Sequence, residues 1–240
     1  MTTISESDAR FFAAWEVADF AGPVIAIDVL RAFTTSAYAF ASGATAIYLV
    51  ASVAEALEFK ARHPGALAMG EDGGLRPEGF DFSNSPVAVA EADLRGRTLV
   101  QRTSAGTRGA LAAHSAARVW CASLVCASAT ARAVLASGLG APGYVITGRF
   151  EDRPDHGADD LAVAHFIERA RRGLALDPER VAHEVLQSHE ARRTLALGAG
   201  HVHQNDVAYA TRVDAFDFAM ELRRDSDGSR LVALGAAASD

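Results

Sequence analysis

Cysteine is scarce in this chain. Cys121 and Cys126 are the only two in 240 residues, and their spacing is neither a disulfide framework nor a Cys-x-x-Cys motif, so both are expected to stay reduced. Long apolar runs are missing too: none approaches the ~18 residues of a membrane span, and Met1 to Arg10 is polar and acidic rather than signal-like. The expected compartment is the cytoplasm. Nor is there an excess of positive charge. The 23 basic residues against 30 acidic ones give a net charge of −7, which offers no field for nucleic acid or an anionic membrane. An anionic ligand must therefore be met locally. Also absent are a short repeat, a Pro/Ser-rich linker, a G-x-G-x-x-G turn and the lysine of a Walker A loop. These absences argue against solenoids, strings of domains and a nucleotide-binding transferase.

What is present is a core: 50% of the residues are hydrophobic, enough for a large domain. The chain is best organised around Val24-Ile25-Ala26-Ile27-Asp28-Val29-Leu30-Arg31, an apolar run that suits a strand covered on both faces and ends in charge. Asp28 then sits at the carboxyl end of a strand, where open α/β sheets place ligands. The plainer alternative is that Asp28 caps the helix beginning at Ala32 and that Arg31 is solvated.

Further strands are expected at Thr45 to Val50, Ala66 to Gly70, Arg97 to Gln101, Arg118 to Cys121 and Tyr144 to Thr147. Between them lie helices at Ser52 to Arg62, opened by a Ser52/Glu55 capping box, at Ala110 to Ala117, and at Ala129 to Ser137. Residues 1–21 read as a short amphipathic helix whose aromatics, Phe11, Phe12 and Trp15, could cover this chain or a second copy in a homodimer. The alternation predicts a three-layer α/β/α fold with a mostly parallel sheet. A main domain with the active site is expected over 1–176, and a helical lobe with an edge strand over 177–240, although periodicity leaves open whether Asp214 to Met220 and Ser229 to Leu234 form a closing hairpin or a helix and edge strand.

Several strand ends carry polar groups. Glu71 enters a glycine-rich turn. Arg102 leads into Ser104-Ala105-Gly106-Thr107, a turn whose free N–H groups at a helix start would suit an anion, and Ser123 to Ser128 repeats that pattern. Asp159 and Asp160 open the helix Ala158 to Arg171, where their simplest role is to complement its dipole. Ser85-Pro86 is an ordinary helix start. His201-x-His203 has metal-like spacing but reads as a surface loop.

Taken in order, DVLRAFTT, GEDGGLRPEGFDFSNSP, RTSAGTRGA and ASLVCASAT resemble the 2-phosphosulfolactate phosphatase family over roughly Val24 to Phe166, with a weaker echo near Ser188 and Asp206 to Met220. Asp28, Arg31, Glu71, Gly74, Asn84, Ser85, Thr107 and Asp160 stand where the family pattern has its own residues. The resemblance implies a Mg²⁺-dependent phosphatase that hydrolyses 2-phospho-3-sulfolactate, a small phosphorylated hydroxy acid, on an α/β/α fold. Asp28, Glu71 and Asp160 would hold Mg²⁺, a hard ion that prefers oxygen. Asp28, Arg31 and Arg102 would carry the chemistry, and Gly74, Asn84, Ser85, Ser104, Gly106, Thr107 and Ser128 would line the substrate site. A metal-activated water is favoured over attack by Asp28, because Asp-Val-Leu-Arg lacks the second aspartate of dehalogenase-type phosphatases. Ala105 and Cys126 replace family asparagines. That implies an altered preference among substrates or, alternatively, a non-catalytic anion-binding relative.

Overall fold

The computed structural model describes residues 9–153 and 155–235. Within them ten strands form one sheet: β1 (Arg10–Phe12), β2 (Pro23–Ile27), β3 (Ala46–Leu49), β4 (Leu67–Gly70), β5 (Phe82–Ser83), β6 (Thr98–Arg102), β7 (Arg118–Ala122), β8 (Gly143–Ile146), β9 (Ala219–Asp225) and β10 (Gly228–Leu234). Their order is β1-β8-β2-β7-β9-β10-β3-β6-β4-β5. The strands β1, β8, β2 and β7 pair in parallel, as do β3, β6, β4 and β5. The two blocks are joined by the antiparallel hairpin β9–β10. The expected α/β architecture with a mostly parallel sheet is what the chain adopts.

The layers follow from the two-residue period of buried strands. Val24 and Ala26 face one core with Phe33, Ala37 and Ala110, while Ile25 and Ile27 face another with Val134, Val163 and Ile167. Helices α1 (Ala32–Ala41), α3 (Pro86–Ala90) and α4 (Gly106–Ala112) bring residues to the first face. Helices α5 (Ala127–Ala136), α6 (Ala158–Arg171) and α7 (Pro178–Gln187) cover the second, and α2 (Val53–Arg62) covers the β3–β6–β4 block on Ala46, Tyr48 and Val100. Helix α1 is buried from Ala32 to Phe40. It has no charged residue to turn toward water, and the hydroxyls of Thr34 and Ser36 are paired inside, to the Val29 carbonyl and to Gln101.

The amino-terminal region departs from the expected helix. Residues 1–8 lie outside the described residues, and Arg10–Phe12 is an edge strand paired with β8. Period two explains it: Phe11 stacks on Tyr144 on one face and Phe12 packs on Phe20 on the other. The carboxyl-terminal hairpin is not an edge either. Strand β9 pairs with β7 and β10 with β3, so the last described strands bridge the two parallel blocks. Periodicity alone left that placement open to sequence reasoning. Helix α2 opens as expected: Ser52 Oγ accepts from Glu55 N at 3.1 Å, and the Glu55 carboxylate reaches back to Ala51 N at 2.9 Å. Helix α4 begins at Gly106 rather than Ala110. Among the described residues no helix is long and apolar enough to cross a membrane.

Candidate active site

Asp28 follows β2 directly and folds over the first turn of α1. Its Oδ1 accepts from Ala32 N at 2.8 Å, so the capping role exists, yet the same side chain lines a cavity of about 130 Å³. Helix α4 presses against it, since a Cβ on Gly106 would lie 2.6 Å from both Asp28 Oδ2 and Ala32 Cβ. Only glycine permits that approach. Arg31 is not solvated. It is 3% exposed, and its Nη1 donates to Asp206 Oδ2 at 2.8 Å and to the His201 carbonyl at 2.9 Å.

Glu71 is delivered by the end of β4. Gly70 there has φ +132°, and a Cβ on it would fall 1.9 Å from the Arg102 carbonyl, so glycine is required for the two strand ends to meet. The Glu71 carboxylate accepts from Ser104 N, Gly74 N and Ser104 Oγ. It thereby ties the two turns together. The expected anion cradle at Ser104 to Thr107 is consequently occupied from within: Ser104 N serves Glu71, and Thr107 N donates to Thr103 Oγ1 at 3.0 Å while Thr107 Oγ1 donates to the Thr103 carbonyl.

Asp160 sits at the start of α6 and accepts from Val29 N at 2.9 Å and Gly148 N at 2.8 Å, which fixes the β2 and β8 loop ends against each other. Asp159, 2% exposed, has its Oδ1 unpartnered, and Glu190 has an unpartnered Oε2. Burial, then repulsion from Glu190 and Asp28, pushes the Asp159 carboxyl up to about 8. Burial raises Asp28 to about 6, with Glu71 adding to the rise and the Ala32 N–H and Arg31 opposing it. Asp160 is held well above the ordinary range by burial and by Asp159 and Asp28.

The cavity gathers Asp28, Arg31, Glu71, Gly74, Asn84 and Ser104 of the expected set, and Ala105 lines it as well. Asn84 is 4% exposed and its Oδ1 has no partner. The remaining expected residues lie behind or away from the wall. The Arg102 guanidinium is spent on the Glu71 carbonyl and Asp72. Ser85 Oγ donates to Asp206 and caps α3, and Thr107 faces Thr103. Gly106 supports Asp28 from behind. Ser128 is bound through N and Oγ to Asp214, which makes it a helix-start residue rather than a substrate contact. Cys126 is fully buried in the core and touches no cavity.

Sequence reasoning missed the other wall. Helix α8 (His189–Leu195) and the residue pair after it bring Glu190, Arg193, Thr194 and Leu197 to the cavity, at helical spacings of three, four and seven. The site thus draws on the chain beyond residue 176. Asp206, at the start of α9 (Asp206–Ala210), was missed too: it is fully buried and accepts from Arg31, Ser85 and His203 N. Its sequence signals were a lone acid after a histidine-rich loop and the weaker family echo that begins there. That loop is structural: His201 Nδ1 accepts from Arg76 N and His203 Nδ1 from Asn205 N.

Among the described residues no three His, Cys, Asp or Glu side chains converge to hold a metal by themselves. Glu71 raises the charge cost of Asp28, and Asp28 that of Asp160, but the three are not gathered as one ligand set, because the oxygens of Glu71 and Asp160 are engaged by backbone N–H groups. Mg²⁺ does not need such a cage, since it commonly takes one or two carboxylates, waters and substrate phosphate. Buried, mutually repelling carboxyls with unpartnered oxygens at Asp159 and Glu190 are what a divalent cation would relieve. The residues fit the ion.

An α/β sheet whose strand ends place carboxylates and guanidinium groups around a small cavity suits a small anionic ester, and comparison with known proteins gives the class, a phosphoric monoester hydrolase. The family model described as 2-phosphosulpholactate phosphatase matches residues 13–225, and the chain belongs to that family. A Bacillus subtilis protein named "probable 2-phosphosulfolactate phosphatase" is 32% identical over 204 residues, covering 85% of this chain and 88% of its own. A protein of the same name from Carboxydothermus hydrogenoformans is 31% identical over 216 residues, covering 82% and 85%. One from Thermus thermophilus is 43% identical over 110 residues, covering 45% and 46%.

Proposed function

We propose that this chain hydrolyses 2-phosphosulfolactate, or a closely related phosphorylated hydroxy acid, to the hydroxy acid and phosphate in the cytoplasm, with Mg²⁺ as its metal. The observation that carries this reading is the pairing of Asp28 and Glu71 with Arg31 on one cavity of about 130 Å³, a volume suited to a small ester. Phosphate monoesters are doubly anionic, so the task is to neutralise charge and present water in line.

When bound, Mg²⁺ would neutralise ester oxygens and acidify water. Asp28 would hold it at Oδ2, the oxygen that Ala32 does not occupy, with Asp159 and Glu190 supplying negative charge behind. Arg31, immobilised by Asp206, orients the phosphoryl group. Glu71 keeps the turns at Gly74 and Ser104 in place, and Asp160 does the same for Val29 and Gly148. His156 also lines the cavity. The alternative of a non-catalytic anion-binding relative loses one of its two supports, because the asparagine replaced by Cys126 would not reach the cavity.

The test is phosphate release from 2-phosphosulfolactate with and without Mg²⁺, in wild type and Asp28→Asn. Removing the charge should cost about 10²-fold or more in turnover. Near-normal activity in folded Asp28→Asn would leave Asp28 as a helix cap only.

A further inference from the structure

The α8 wall carries a cation that nothing in the fold uses. Helix α8 is firmly set: Ser188 Oγ accepts from Ala191 N at 3.0 Å, Glu190 Oε1 accepts from Gly157 N at 3.0 Å, and Arg192 donates to the Gln187 carbonyl at 2.7 Å. Leu197 closes against the glycine-rich turn, where a Cβ on Gly74 would meet Leu197 Cδ2 at 2.7 Å. Arg193 projects from this wall onto the cavity. Among the described residues no carboxylate or carbonyl pairs with it. Its neighbour in sequence, Arg192, is held by a backbone carbonyl, and the other guanidinium on the cavity, Arg31, is committed to Asp206.

A guanidinium left uncommitted on the α8 wall, across a cavity whose other walls carry Asp28, Glu71 and Asn84, is placed for a ligand anion. The esters of the proposed function have anionic groups beyond the phosphate. Arg31 and the metal account for the phosphoryl group, which leaves the carboxylate or sulfonate without a partner of opposite charge. Arginine's planar fork matches either one through two parallel N–H bonds.

We propose that Arg193 forms the subsite for an anionic group of the substrate other than its phosphate, the carboxylate or the sulfonate, and sets the preference of the enzyme for phosphorylated acids over simple phosphate esters. This rests on the proposed function, and the test separates the two. The experiment compares kcat/KM for 2-phosphosulfolactate and p-nitrophenyl phosphate in wild type, Arg193→Gln, Arg193→Lys and Arg108→Gln. Arg108 belongs to the adjoining surface that shares Ser104 and Ala105. Calorimetric titrations with sulfolactate and with inorganic phosphate accompany the kinetics.

Arg193→Gln should lower the ratio of the two kcat/KM values by about 10-fold or more, through KM for the sulfonated ester, as loss of a charge-assisted pair implies. Arg193→Lys should recover part of it, and Arg108→Gln should leave the ratio at its wild-type value. Sulfolactate affinity should fall in Arg193→Gln more than phosphate affinity does. An unchanged ratio, equal losses on both esters, or a shift of the ratio in Arg108→Gln instead would overturn the proposal. If wild type releases phosphate from neither ester, the proposed function fails, and the titrations still decide Arg193: selective loss of sulfolactate binding supports the subsite, and equal or absent binding in wild type and variant overturns it.

Discussion

Cys126 and Ala105 illustrate how a residue's meaning depends on where its side chain ends. Both replace family asparagines, and from the sequence both are read as amides lost from the substrate site. Ala105 lines the cavity, but Cys126 is fully buried, its thiol directed to the Ser123 carbonyl and its pKa pushed up to about 11 by that burial. Cys126→Asn should therefore leave the preference between sulfonated and plain esters as it is and destabilise the fold by about 1–3 kcal/mol, the cost of a poorly paired buried amide. Denaturant unfolding and the two-substrate kinetics check the two halves separately. A gain in sulfonate preference without loss of stability would place the side chain in the site after all. Asp28, Arg31 and Glu71 were legible as cavity residues because chemistry-bearing residues follow an apolar strand, and Asn84 only through the family resemblance. Asp206 was not, because a buried acid and the arginine it neutralises are 175 positions apart, and no local pattern records such a pair.

Between elements, Asp206 is the knot. It joins α9 to Arg31 before α1 and to Ser85 at the head of α3, with distances of 2.8 Å and 2.6 Å. Removing its charge leaves Arg31 buried without compensation, and breaking such a pair costs about 3–5 kcal/mol. Asp206→Asn should lose stability of that order and also lower kcat/KM, because Arg31 would no longer be held at the cavity. Urea unfolding with parallel kinetics tests this, and an unchanged midpoint would show that the pair contributes nothing net. The elements themselves were largely legible: the capping box of α2, the proline start of α3 and the full extent of α6 follow from local chemistry. The hairpin β9–β10 and the strand β1 were not, because their positions depend on which distant strand they meet. The α8 stripe lay in the periodicity of Glu190, Arg193, Thr194 and Leu197, but a polar stripe reads as a solvated face until the opposing wall is known.

At the scale of the molecule, the site is a concentration of negative charge held by the rest of the fold. Asp28 and Asp159 have carboxyls raised from 3.8 to about 6 and about 8, and Asp160 is raised as well. Between the unfolded and folded values of each group the native state binds more protons than the unfolded chain, so this contribution to stability falls as pH rises. It is fully present below the unfolded value near 3.8 and is lost progressively as pH passes through about 6 for Asp28 and about 8 for Asp159. The metal-free protein should accordingly show a melting temperature that declines from pH 5 to pH 8. Mg²⁺ binds deprotonated carboxylates, so its stabilisation should grow across the same interval, as expected for a ligand that binds the native state and competes with protons. Asp159→Asn should flatten the decline in the metal-free protein, because it removes both a buried charge and its repulsion of Asp28. Melting curves over pH with chelator or with Mg²⁺ measure all of this. A Mg²⁺ effect that is the same at pH 5 and pH 8, or absent at both, would mean that the ion does not reach these carboxylates.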